Sequence, residues 1–263
     1  RRVDASKTCG LDTLKFNGVI VLKEPKRVYN YGNLASQIVG FTNAENKGQT
    51  GIELSMQDEL SGKDGFVIMQ RDGKGNNRPS LDFPRKDPEN GNNVVLTLDV
   101  NIQRFAEEEL AAGVKNYNAD GGKVVVLSVK TGEILAMSSN PTFDPNNIAS
   151  ADTSGMKNAV ISDIYEPGST FKLVTAAASL EEKIEDKNSV IETDNLNEIK
   201  GLNITDVHGA ASMTFQQVIE QSSNVGFSKI SLQLGEERFY KYARDFGFGI
   251  YNGVELPGEN KGL

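Results

Sequence analysis

The chain has 263 residues, 38% of them hydrophobic and 24% charged, and a formal net charge of −8; this is the composition of an ordinary soluble globular protein with material for one large domain or two smaller ones. The acidic balance argues against a nucleic-acid-binding surface, since no cluster of Lys and Arg is dense enough to reverse it locally. Cys9 is the only cysteine and His208 the only histidine, which excludes an internal disulfide and a Cys/His metal site, and no metal or cofactor is expected.

In chain order, residues 1 to about 90 are polar and mixed. Val19-Ile20-Val21-Leu22 predicts a short strand, Asn33 to Val39 a short helix, and Gly51-Ile52-Glu53 opens a helix that stops at Gly62. Phe66-Val67-Ile68-Met69-Gln70 followed by Asp72-Gly73 predicts the first arm of a hairpin. The stretch from Asn76 to Gly91 is rich in Pro, Asn and Gly, as a linker would be, and a second domain is expected after it. There, Val94 to Leu98 predicts a strand, and Asp99 is placed to cap a helix whose Ile102, Phe105, Ala106, Leu110 and Val114 form a core face. Lys123 to Val129 and Glu133 to Met137 predict a hairpin turning at Lys130-Thr131-Gly132. The loop Asn140-Pro141-Thr142-Phe143-Asp144-Pro145-Asn146-Asn147 comes next.

Glu166-Pro167-Gly168-Ser169-Thr170-Phe171-Lys172 then runs into the Ala-rich segment Leu173 to Leu180. Pro and Gly break the preceding structure and the Ala-rich run favours a helix, so Ser169 is expected in its first turn. Residues three apart on a helix share a face, which brings the Lys172 amine beside the Ser169 hydroxyl. Desolvated by apolar neighbours, that lysine becomes a base for the serine proton, and first-turn N–H groups can face a developing oxyanion. A second Ser-x-x-Lys, Ser154 to Lys157, sits in a polar stretch with no helical apolar face. After a polar stretch from Glu181 to Lys200, Thr214-Phe215-Gln216-Gln217 forms a capping box for a short helix. That helix ends at Gln221-Ser222-Ser223-Asn224, and another follows with Phe227, Ile230 and Leu234 toward the core. Ser222 offers a hydroxyl that relays protons, and Asn224 an amide that both donates and accepts. Beside Ser169 and Lys172 they would complete an acyl-transfer site.

Glu166-Pro167-Gly168-Ser169-Thr170-Phe171-Lys172, followed after about fifty residues by Ser222-Ser223-Asn224-Val225-Gly226, resembles the first two active-site motifs of class B penicillin-binding proteins, whose superfamily carries Ser-x-x-Lys as an established signature. Arg27-Val28-Tyr29 with Gly32, Ile38-Val39-Gly40-Phe41, Gly51-Ile52-Glu53 and Leu60-Ser61-Gly62 resemble that family's non-catalytic dimerisation, or pedestal, domain. Lys130 to Met137 and Asp144-Pro145-Asn146-Asn147 resemble the opening of its transpeptidase domain. The Asp-Pro-Asn-Asn loop and Ser162-Asp163-Ile164-Tyr165 are most similar to the cell-division, FtsI-type branch. The resemblance implies an α+β fold: a pedestal domain of mixed strands and helices over residues 1–90, then, over residues 91–263, part of a transpeptidase domain built as an antiparallel sheet with helices on both sides.

It also implies a peptidoglycan D,D-transpeptidase in which Ser169 is the nucleophile, Lys172 the general base, Ser222 a proton shuttle and Asn224 the group that orients Lys172 and the substrate amide. Stem peptides ending in D-alanyl-D-alanine, β-lactams, and cell-wall or division proteins including a glycosyltransferase are the implied partners. An extracytoplasmic location in the cell envelope and a membrane anchor in the parent protein follow from the same resemblance. The chain itself has no apolar run of about 18 residues, and it starts at Arg1-Arg2-Val3 without an initiator Met, as a trimmed segment would.

Three departures stand out. The family's third motif, Lys-Thr-Gly, follows the Ser-x-Asn loop on a sheet strand; it is not among the 39 residues after Asn224, so the site of this segment is expected to be incomplete. Lys130-Thr131-Gly132 has the letters but precedes the serine, and Ser138-Ser139-Asn140 copies the second motif equally early. Asn30 stands where the family has Pro. Other readings open on the residues are His208 as a base for Ser169 in a hydrolase triad, although Pro167-Gly168-Ser169 is not a Gly-x-Ser-x-Gly elbow; a D,D-carboxypeptidase or β-lactamase-type hydrolase; and a non-catalytic scaffold of the division machinery. Glu166 is expected to be structural.

Overall fold

The computed structural model describes residues 24–73, 77–79, 83–194, 203–207 and 210–262, and the chain divides into two units, Arg1–Val160 and Ile161–Leu263. The strand expected over Val19 to Leu22 lies outside the described residues, as do Cys9 and His208.

Three short helices open the first unit: α1 (Ser36–Val39), α2 (Gly51–Ser55) and α3 (Gln57–Leu60). The helix expected from Gly51 to Gly62 is broken at Met56, where φ is −108° and ψ 25°. At Gly51, φ is +57° and an added Cβ would lie 2.3 Å from the Ile38 carbonyl oxygen, so conformation and close approach both demand glycine. The α2 residue Glu53 is buried but paired with Arg27 Nε at 2.6 Å, which offsets the cost of removing its charge from water.

The expected strand around Phe66 is split at Ile68 into β1 (Phe66–Val67) and β2 (Met69–Arg71). In antiparallel pairs, β2 joins β3 (Asn77–Pro79) and β1 joins β4 (Arg85–Lys86). The stretch expected to be a linker therefore supplies both return strands. Pro79 is tolerated because it ends a strand of a two-stranded sheet, where one edge needs no ladder partner.

Asp99 caps α4 (Val100–Tyr117) as expected, its carboxylate accepting from the N–H groups of Asn101 and Ile102. The core face differs from expectation. Phe105 is 65% exposed and Gln103 only 1%, because the Gln103 amide serves as a backbone partner for the strand beneath it. Its Oε1 accepts the Met137 N–H at 2.9 Å and its Nε2 donates to the Met137 carbonyl at 2.8 Å, so neither end of the buried amide is left unpaired. That strand is β6 (Ile134–Asn140), antiparallel to β5 (Gly122–Leu127). The turn between them is closed by Ser128 and Glu133, with Gly132 at φ +78°, so Lys130-Thr131-Gly132 is a hairpin tip as expected. Val94 to Leu98 alternates in burial like a strand but joins no ladder among the described residues; Thr97 Oγ1 and the Asp99 N–H tie its end to the carbonyls of Ile134 and Leu135. Two one-turn helices follow, α5 (Thr153–Met156) and α6 (Ala159–Ser162).

The second unit contains α7 (Lys172–Glu181), β7 (Val190–Glu192), β8 (Ser212–Thr214), α8 (Phe215–Glu220), α9 (Asn224–Leu234) and α10 (Glu236–Asp245). Its core joins Ala176 and Ala178 of α7 to Phe215 and Val218 of α8 and to Phe227, Ile230 and Leu234 of α9, the last three as their spacing predicts. Thr214 and Gln217 form the expected capping box. The antiparallel pair β7–β8 lies partly in the stretch taken as a polar connection. Each strand buries one apolar residue, Ile191 or Met213, too few to show a period of two. The fold class is α+β, and every ladder among the described residues is antiparallel.

Candidate active site

Gly168, at φ +59°, turns the chain after Pro167 into a 3₁₀ turn over Gly168–Phe171, which feeds α7 at Lys172. Ser169 is thus one turn ahead of the α-helix and not in its first turn, as the sequence reading has it. The difference improves the alignment, because a 3₁₀ turn has 3.0 residues and eclipses positions i and i+3. Ser169 and Lys172 therefore share one face. Phe171 anchors the turn from within the motif: its ring meets Phe248 at 4.8 Å and Phe239 of α10 at 5.8 Å between centroids, contacts that contribute about 0.5–1.5 kcal/mol each beyond burial. Ser169 is exposed, and its hydroxyl has no hydrogen-bond partner among the described residues.

Lys172 Nζ donates to Ser222 O at 2.6 Å, to Ser222 Oγ at 2.9 Å and to Asn224 Oδ1 at 2.7 Å. An ammonium spends all three protons on these bonds. A neutral amine keeps two on the carbonyl-type oxygens and has a lone pair left for a hydroxyl proton. Burial lowers the lysine pKa below its ordinary value, and the negative charge of Asp206 partly opposes that. The face of the Phe227 ring, 5.7 Å from Nζ, supplies part of the apolar surroundings. The four residues singled out in the sequence therefore belong to one neighbourhood, with Lys172, Ser222 and Asn224 in direct contact and Ser169 on the Lys172 face.

The chain between α8 and α9 makes this possible. Ser222 adopts φ +53°, a left-handed conformation costly for a residue with a Cβ; there its carbonyl and its hydroxyl both meet the same amine. Ser223 caps α9, its Oγ accepting the Gly226 N–H at 2.8 Å. Asn224 is the first residue of α9, and its Nδ2 donates to the Thr205 carbonyl at 3.2 Å, which leaves Oδ1 for the lysine.

The look-alike motifs sit elsewhere. Ser154 lies in α5, its N–H bonded to the Asp152 carboxylate; Ser138 and Ser139 are buried in β6. Glu166 is exposed, and a triad through His208 would lie outside the described residues. Among the described residues no His, Cys, Asp and Glu group could hold a metal ion. Two contributors went unseen in the sequence: Asp206, which carries no motif, and the aromatic cluster around Phe171, two of whose members follow α9.

The penicillin-binding protein transpeptidase domain family matches residues 122–263, and the penicillin-binding protein dimerisation domain family matches residues 5–96. Similar curated proteins include a probable peptidoglycan D,D-transpeptidase PenA of Neisseria gonorrhoeae, 40% identical over 98% of this chain and 43% of the relative. The peptidoglycan D,D-transpeptidase FtsI of Escherichia coli is 32% identical over 100% of this chain and 44% of its own length. Stage V sporulation protein D of Bacillus subtilis is 36% identical over 100% of this chain and 41% of its own. The chain thus spans less than half the length of these curated relatives. Among solved structures, penicillin binding protein 3 of Mycobacterium tuberculosis complexed with aztreonam is similar, with a TM-score of 0.79 and 33% identity over 90% of this chain and 50% of that one.

Proposed function

The chain belongs to the penicillin-binding protein transpeptidases, and on that footing we propose that it acts as a serine D,D-transpeptidase on peptidoglycan stem peptides through an acyl-enzyme on Ser169. The observation that carries the reading is the convergence of Ser222 O, Ser222 Oγ and Asn224 Oδ1 on Lys172 Nζ, beside an exposed serine three residues earlier. Lys172, its pKa lowered by burial, takes the Ser169 proton as Oγ attacks the carbonyl carbon between the two terminal D-alanines. The Ser169 N–H, at the start of a helical turn, is one donor to the resulting oxyanion. The C–N bond breaks, Ser222 passes a proton from Lys172 to the departing amine, and D-alanine leaves. An amine of a neighbouring stem then attacks the ester by the same route in reverse, giving the cross-link and restoring Ser169. Asn224 holds the lysine through Oδ1 and orients the substrate amide. A β-lactam carbonyl enters the first half of this sequence and stops at the acyl-enzyme.

The same proposal includes a division near residues 90 and 91 between a pedestal and a transpeptidase domain, supported by the spans of the two matching families. A role in septal wall synthesis is supported by the FtsI relative. That role carries with it a place on the extracytoplasmic face of the membrane and association with other wall-synthesis proteins. No helix among the described residues is long and apolar enough to cross a membrane.

The test is intact-mass measurement of the native full-length polypeptide after incubation with a β-lactam, alongside its Ser169→Ala variant. The expected result is one acyl adduct on the parent and none on the variant. Equal labelling of both would move the nucleophile elsewhere; no labelling of a folded parent would turn the reading toward a non-catalytic scaffold.

A further inference from the structure

Asp206 uses its whole carboxylate on the turn that carries the second motif. Oδ1 accepts the backbone N–H of Asn224 at 2.5 Å and of Val225 at 3.1 Å, and Oδ2 accepts the Ser223 hydroxyl proton at 2.5 Å. With the Gly226 N–H held by Ser223 Oγ, the first three N–H groups of α9 are satisfied from within the unit, so this helix end has none of them left for a substrate anion. The neighbouring Thr205 carbonyl takes Asn224 Nδ2. An amide with its nitrogen committed there can present only oxygen to Lys172. A left-handed Ser222 next to this clamp persists because the residues after it are over-determined.

From this geometry we infer that Asp206 is a positioning residue of the transpeptidase site, clamping Ser223, Asn224 and Val225 so that Ser222 and the oxygen of Asn224 stay on Lys172. The inference rests on the reading of the Lys172 cluster as the catalytic centre, and it adds a residue that no part of the Ser-x-x-Lys or Ser-x-Asn signatures contains. It also explains an apparent conflict of charge. An anion beside a general-base lysine favours the protonated form, against the effect of burial; the site tolerates it because the carboxylate is spent on two N–H groups and a hydroxyl. Asp206 is the charged group that acts on Lys172, and Phe227 faces the amine with an uncharged ring.

Two variants separate the clamp from the charge. Asp206→Asn keeps an acceptor for the two N–H groups, loses the acceptor for Ser223, and removes the charge; Asp206→Ala removes everything. In Asp206→Ala, hydrogen exchange at the Asn224 and Val225 amides is expected to accelerate more than about tenfold while the core amides of Ile230 and Leu234 keep their protection. In Asp206→Asn the acceleration is smaller. In both, the NMR titration of the Lys172 side chain moves to lower pH, since the anion that favoured its proton is gone. β-Lactam acylation of the full-length polypeptide slows, and the rising limb of its pH profile moves to lower pH with the lysine. A purely structural role would slow acylation at every pH and leave that limb in place. Unchanged exchange at Asn224 and Val225 in a folded variant overturns the inference, whatever the Lys172 titration does. Where Asp206→Ala does not fold, Asp206→Asn gives the same decision through exchange at Asn224 and Val225, since its side chain no longer holds the Ser223 hydroxyl. Failure of the wild-type protein to acylate would count against the catalytic reading alone, because exchange reports on the clamp, and titration on the charge, without any turnover.

Discussion

Gly226, in the first turn of α9, is where packing and site meet, and replacing it by Ala sets two effects of opposite sign against each other. In the helix interior, Gly to Ala gains about 1 kcal/mol of propensity. Against it, the new Cβ would lie 2.8 Å from both γ-carbons of Val218 and 3.0 Å from Ser223 Oγ. Whether the clash wins depends on whether those neighbours yield. Val218 is fully buried in α8, and a valine in a helix has essentially one χ1 rotamer. Ser223 Oγ is bonded to Asp206 on one side and to the Gly226 N–H on the other. Neither can swing aside, so the cost falls in the upper part of the overpacking range, about 2–3 kcal/mol. The net loss is then about 1–2 kcal/mol, or roughly a 5- to 30-fold fall in the folded-to-open ratio. Hydrogen exchange at the buried amides of Ile230 and Leu234 measures it directly, and it isolates the second unit from the first. Val218→Ala alone leaves a cavity, but combined with Gly226→Ala it makes room for the new methyl, so the pair is expected to cost at least about 1 kcal/mol less than the sum of the singles. Protection in Gly226→Ala equal to or above that of the parent would refute the reasoning, since propensity would then have prevailed over a contact that can relax.

Ser222→Gly removes the strain of a left-handed residue with a Cβ and is expected to leave stability unchanged or raise it by up to about 1 kcal/mol. It also deletes the hydroxyl on Lys172, so β-lactam acylation measured by stopped-flow falls even though the fold is not weakened. For Lys172, the folded-state pKa lies below the ordinary lysine value of 10.5, so the unfolded chain binds more protons between the lowered value and that one. Stability contributed by this group therefore rises with pH across the window, and denaturation at a series of pH values should show the rise flattened in Lys172→Met. The acylation rate should climb over the same approach to the lowered value and level off above it.

What could be foreseen in the sequence was whatever is carried by short-range order. Asp99 and Thr214 announce their helices because a cap is a local bond between a side chain and an N–H two or three residues on. Phe227, Ile230 and Leu234 announce a buried face because helical spacing survives in the sequence. The errors arise where long-range pairing overrides composition. Asn77 to Pro79 look like linker and act as a strand because β2 lies alongside. Val94 to Leu98 look like a strand and join no described ladder. Gln103 looks like surface and is buried, since its amide mimics a strand partner for Met137. α10 escapes notice because its residues are largely polar, although Phe239 is one of the rings that hold Phe171.

The site divides along the same line. Ser169 and Lys172 are three residues apart, so one turn of any helix brings them together, and their pairing was available from the sequence before the kind of turn was known. Ser222 and Asn224 lie 50 and 52 positions from Lys172, and only the packing of α9 on α7 brings them to it. Nothing in their spacing from the lysine encodes that approach. It had to come from the resemblance. Asp206 was beyond either route, because its role is spent on backbone N–H groups that every sequence has, and a carboxylate in a polar loop has no signature. A constellation of this kind is legible in the proposed nucleophile and base, which lie three residues apart on consecutive turns, and becomes less so with each group that reaches it through the tertiary fold. Residues of this holding kind are therefore the last to be found from sequence, even though the bonds of one of them, Asp206, reach Ser223, Asn224 and Val225 together.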